Sequence, residues 1–75
     1  MNLTGATITN EQILVLRAAL HDEARQLDGE AWIENHEQSH ACAVALGFRA
    51  SPRPGYKREA RTRCAEILNA RSKQP

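Results

Sequence analysis

The stretch Thr9–Gly29, TNEQILVLRAALHDEARQLDG, decides how the rest of the chain reads. Thr9 is a residue type that accepts hydrogen bonds from the free N–H groups of a helix start, and Gln12, three positions on, completes a capping box. Ile13, Leu16, Leu20, Ala24 and Leu27 then recur at spacings of 3, 4, 4 and 3, which is one face of an α-helix. Gly29 offers the left-handed conformation that ends helices, so the pattern predicts a first helix over about residues 10–28. Leu14, Val15 and Ala18 lie off the stripe, so the first turns are apolar nearly all round. That implies either burial between two neighbouring helices or a self-association face.

Two more helices follow, over about residues 31–46 and 56–71. In the second, Trp32, His36, Ser39, His40, Ala43 and Leu46 fall on one broad face at 100° per residue, and Gly47 provides a stop. The connector Ser51-Pro52-Arg53-Pro54-Gly55 cannot continue a helix, because Pro52 and Pro54 lack N–H groups and restrict the residues before them. In the third, Tyr56, Ala60, Cys64, Ile67 and Leu68 form the apolar stripe and Lys57, Arg58 and Arg61 line a flank. Residues 1–8 read as a flexible arm and 73–75 as a tail. The expected fold is therefore all-α, a single small three-helix domain over residues 9–72. It forms a helical bundle that a second copy, paired through the first helix, could complete.

Seventy-five residues leave room for one core, and with only Trp32, Phe48 and Tyr56 as large aromatic rings, alanine and aliphatic residues must fill it. A core of this size contributes only ~3–5 kcal/mol, so self-association, a metal or a partner would add needed stability. The start of the chain lacks a basic segment followed by an apolar run, and the longest apolar run, Ala41–Leu46, is far too short for a bilayer. The expectation is a cytoplasmic protein with no membrane partner. Cys42 and Cys64 are then reduced thiols packed as small apolar groups, a disulfide between them being the alternative for an exported chain.

The formal net charge of +1 conceals an asymmetry. Residues 1–37 set two arginines against seven carboxylates, a balance of −5, whereas residues 38–75 set eight basic residues against two carboxylates, a balance of +6. The positive part is concentrated in Arg49, Arg53, Lys57, Arg58, Arg61 and Arg63, opposed within that segment only by Glu59. Such a segment can neutralise phosphates and gain from counterion release, and Tyr56 could stack on a base. The long diprolyl connector argues against a helix-turn-helix, which prefers a turn of ~3–4 residues. The alternative is a basic face already satisfied by the acidic first half.

His36-Glu37-Gln38-Ser39-His40 matches H-E-x-x-H, in which two histidines one helical turn apart share a zinc ion and the glutamate serves as general base. The five residues resemble the zincin metallopeptidase motif, and the resemblance implies a zinc site and peptide hydrolysis. The surroundings argue otherwise. Glu34 puts charge just before the motif, no Gly-x-x-His follows, and the chain offers no strand to hold a peptide. The remaining metal possibility is a non-catalytic site in which His36 and His40 join Cys64, or a carboxylate from the third helix or a second subunit. Cys42 is badly placed to help His40, two residues away on the same helix. The plainer reading makes His36 and His40 partly buried, hydrogen-bonded residues, with His21 solvated.

Asn10-Glu11-Gln12-Ile13 with Leu16-Arg17-Ala18, Cys42 with Ala45-Leu46, and Ala60-Arg61 with Arg63–Arg71 resemble small helical proteins of bacteriophages and actinobacterial genomes. The resemblance implies a mobile-element accessory protein and assigns no site. The expected function is accordingly a non-enzymatic binding or regulatory protein with no cofactor. It acts by protein–protein interaction, as adaptor or inhibitor of a host factor or with its own copy. Nucleic-acid binding through Arg49–Arg63 is the first alternative, and a metal-binding protein, with zinc at His36 and His40, is the second.

Overall fold

The computed structural model describes residues 2–73, and Met1, Gln74 and Pro75, at the far ends of the expected arm and tail, lie outside them. Three helices follow in chain order, α1 (Asn10–Ala24), α2 (Gly29–Ala45) and α3 (Tyr56–Ser72), with no strand among the described residues. The protein is an all-α three-helix domain. No helix among the described residues is long and apolar enough to cross a membrane.

The capping box at Thr9 is present in both directions. Thr9 Oγ1 accepts from the Gln12 N–H at 3.1 Å, and the Thr9 N–H donates to Gln12 Oε1 at 2.8 Å. Ile13, Leu16 and Leu20 are buried as the stripe requires. α1 nevertheless stops at Ala24, four residues before the expected end. Arg25 stays right-handed, and the N–H groups of Gln26 and Leu27 fold back onto the carbonyls of Glu23 and Ala24 in a tight last turn. Gly29 does adopt a positive φ of 59°, but it opens α2 behind an extended Asp28 rather than closing α1. The conformational signal was legible, whereas the helix end it served was not.

α2 is the central helix and packs against both α1 and α3, which barely touch each other. Its consecutive residues Cys42, Ala43, Val44 and Ala45 are all buried, as a helix flanked on two sides demands, and their small size lets both neighbours approach. They meet Ile8, Ile13, Leu16 and Leu20 on one side and Ala60, Cys64, Ala65 and Ile67 on the other. Cys42 and Cys64 are both free and buried, with Sγ atoms 3.7 Å apart. The neighbouring thiol and burial push Cys42 far above the ordinary thiol range, which keeps it protonated.

α2 ends in a Schellman motif. Gly47, at φ 82°, donates to Val44 O at 3.1 Å, and Phe48 donates to Ala43 O at 2.8 Å. The chain therefore reverses sharply and carries Phe48 and Arg49 back along the molecule.

Residues 2–8, expected to be a flexible arm, are instead tied to α3. Leu3 and Asn69 exchange two hydrogen bonds of 2.8 Å, through Leu3 N–H to Oδ1 and Nδ2–H to Leu3 O. Arg61 donates to Ile8 O and to Asn10 Oδ1, and Ile8 is 2% exposed. Gly5 packs so closely that a Cβ there would lie 2.5 Å from Thr62 Oγ1. The physical reason is that the three helices alone leave Ile8 without cover. The expected burial of the first turns of α1 between two helices fails as well, since Leu14 and Val15 are 44% and 69% exposed.

Candidate functional site

The antiparallel helices α1 and α2 enclose a cleft of about 300 Å³. Helical periodicity builds it. Arg17, His21 and Ala24 are one face of α1, and Trp32, His36, Ser39, His40 and Ala43 one face of α2. The Schellman turn supplies Arg49. Two hydrogen bonds fix the walls: Asn35 Nδ2 donates to Leu20 O at 2.8 Å, and His21 Nε2 lies 2.9 Å from Ser39 Oγ. Asn35 is the one buried polar residue among those described, at 6% exposure.

The two ends of the cleft differ chemically. Near the α1–α2 turn, the rings of Trp32 and His36 are stacked, with centroids 5.2 Å apart and planes 11° from parallel. At the other end Arg17 lies over the Phe48 ring, 5.2 Å from its centroid, in a cation–π arrangement. Arg17 Nε is buried without a hydrogen-bond partner among the described residues. No aspartate or glutamate is among the lining residues, which include two arginines and three histidines.

The carboxylates are used elsewhere. Glu23 pairs with Arg71 through both guanidinium nitrogens, and Glu59 pairs with Arg53 at 2.6 and 3.3 Å. The Arg71 guanidinium holds the Glu23 carboxyl below its ordinary range. Glu34 and Glu66 share a groove between α2 and α3 with Arg63 and Arg71, and Glu37 lies beside Arg63 in the next groove. The acidic flank of α2 is thus turned toward the basic flank of α3, away from the cleft.

This sorting redistributes the seven contact residues expected from the sequence. Arg53 is paired with Glu59 and lies over Tyr56, itself half-buried against the core. Arg61 holds the arm, and Arg63 sits among carboxylates. Arg58 lines a groove with Thr4, Gly5 and Ala6 on the arm side of α3. Of the seven, only Arg49 lines the cleft. Lys57 Nζ stands over the neighbouring Gly47 turn, 3.7 Å from where a Cβ would be.

The metal candidates are not assembled. His36 and His40 share a face, as their spacing requires, but Cys64 is fully buried against Cys42. No three His, Cys, Asp or Glu side chains among the described residues converge on a point where a metal could sit. His36 and His40 are also exposed rather than partly buried, because they line the open cleft between α1 and α2.

Sequence reasoning missed Arg17 and His21. Their spacing of four was visible, but nothing local says that α2 brings Asn35, His36, Ser39 and His40 opposite them. The chain matches no known protein family, no curated protein and no solved structure.

Proposed function

We propose that the protein is a small non-enzymatic module that binds nucleic acid through the α1–α2 cleft and its Lys57 rim. The observation that carries this reading is a cleft holding two arginines and three histidines and no carboxylate. Arginine guanidinium groups form strong charge-assisted hydrogen bonds to phosphate oxygens. The near-neutral total charge does not weigh against the reading, because Glu34 and Glu37 line the grooves toward α3 and no carboxylate lines the cleft.

The test is fluorescence anisotropy of labelled DNA and RNA titrated with the protein at low salt. Saturable binding that Arg49→Ala weakens supports the reading, and no binding at low salt refutes it.

A specific observation also favours the protein-partner reading. Val15 joins Leu3 and Leu68 in an apolar groove of about 360 Å³, beside the exposed Leu14. Self-association there predicts a dimer in sedimentation that Val15→Glu dissociates. A monomer at high concentration removes self-association.

A further inference from the structure

From the two chemically distinct ends of the cleft, we infer that its ligand is a short stretch of single-stranded nucleic acid. A base adds to the Trp32–His36 stack while a phosphate several nucleotides along engages Arg17 and Arg49. The inference rests on the nucleic-acid reading and specifies its ligand.

Shape excludes the duplex. A helix or ribbon enters the major groove of DNA as a convex body, about 12 Å across. Here the cations line a concavity of about 300 Å³, which is too narrow to admit a double helix. Bases must be splayed out to reach Trp32 and His36, and only an unpaired strand presents them so.

Length follows from the helix geometry. Trp32 and Ala43 are eleven residues apart on α2, and at 1.5 Å per residue the cleft runs about 16 Å between its aromatic and its arginine ends. Arg17 is placed at the Ala43 end by its contact with Phe48, just beyond α2. Bases stacked along a strand are about 3.4 Å apart, so 16 Å separates groups on nucleotides a few positions from one another. A mononucleotide reaches one end only. An oligonucleotide reaches both and gains the second contact without a second association event.

Trp32 is the only tryptophan and is 45% exposed, so its fluorescence reports the stack directly and its replacement leaves the core intact. The experiment titrates the full-length protein with thymidine oligonucleotides of one, two, four and eight residues, with a matched duplex, and with inorganic phosphate. The inference expects quenching and an affinity that rises at least about tenfold from one residue to eight, because a strand of about five or more residues is needed to span the cleft. The duplex and inorganic phosphate should bind at least about tenfold more weakly than the eight-residue strand. By anisotropy of a labelled strand, Trp32→Ala should weaken binding about tenfold or more, and Trp32→Phe should restore most of it.

Equal affinity for duplex and single strand, or a mononucleotide as tight as the longer strands, overturns the inference while the nucleic-acid reading stands. Strand binding that Trp32→Ala leaves unchanged overturns it too. Absence of binding to every probe overturns both.

Discussion

Glu59→Gln should strengthen nucleic-acid binding although Glu59 does not line the cleft. The pairing of charges dictates this. Each phosphate neutralised by a free cation on a single strand contributes about −0.7 to the slope of log K against log salt. Arg17, Arg49 and Lys57 have no carboxylate partner among the described residues, whereas Arg53 is held by Glu59 through two hydrogen bonds. Three free cations give a slope near −2, which is about a 20-fold loss of affinity between 50 and 200 mM salt. Removing the Glu59 carboxylate releases Arg53, four residues before Lys57, and should steepen the slope to about −2.8. Arg49→Ala should flatten it to about −1.4, and Arg58→Ala, on the arm side of α3, should leave it unchanged. The assay is anisotropy of one labelled strand at a series of salt concentrations and one pH. Equal flattening by Arg58→Ala and Arg49→Ala, or no steepening with Glu59→Gln, would refute the sorting into free and paired cations.

Three further predictions concern the scaffold. Gly47→Ala forces a side chain into φ 82° and should cost about 1–2 kcal/mol in urea unfolding, with weaker strand binding because the turn carries Arg49. Asn35→Asp replaces the buried donor to Leu20 O with a carboxylate oxygen and should cost about 2–3 kcal/mol, a fall in Tm of ~10 °C or more by thermal unfolding. Arg71 depresses the Glu23 carboxyl, so the pair's contribution is complete above the unfolded carboxylate range and is lost as pH falls through the lower folded value. Glu23→Gln should therefore flatten the acid limb of stability below about pH 5. The change should stay under about 1 kcal/mol, because the side chains are 45% and 34% exposed, and a larger one would contradict the surface character of the pair.

Local chemistry made much of the fold legible. The Thr9–Gln12 box, the Ile13–Leu16–Leu20 stripe, the Gly47 stop and the diprolyl connector act within a few residues, and each appears where the sequence puts it. The end of α1 was not legible, because Gly29 offers the same left-handed conformation to the exit of one helix and the start of the next. The arm was misread for a related reason. Its anchors, Asn69 and Arg61, lie more than fifty residues away. The site was legible in residue type but not in place. Arg49 and Lys57 were visible in the basic segment, whereas Arg17 and His21 gain meaning only from α2 opposite. The same packing gives Arg53 and Arg61 internal partners and sets Arg63 in grooves that also hold Glu34, Glu37 and Glu66.

Arg17 is where structure and function separate most cleanly. Its guanidinium lies on Phe48, worth about 0.5–1 kcal/mol, while its buried Nε lacks an acceptor, which costs about 1–3 kcal/mol. Methionine keeps an unbranched apolar stem to pack on Phe48 and brings no donor. Arg17→Met should therefore leave the protein as stable as before or up to ~1 kcal/mol more so. It should also weaken strand binding several-fold and lower the salt slope by about 0.7. Urea unfolding and anisotropy on the same preparation read both quantities. Opposite movement of stability and affinity is the signature of a group held for its ligand. A variant destabilised by more than ~2 kcal/mol that binds the strand normally would make Arg17 a packing residue, and the cleft would lose its central cation.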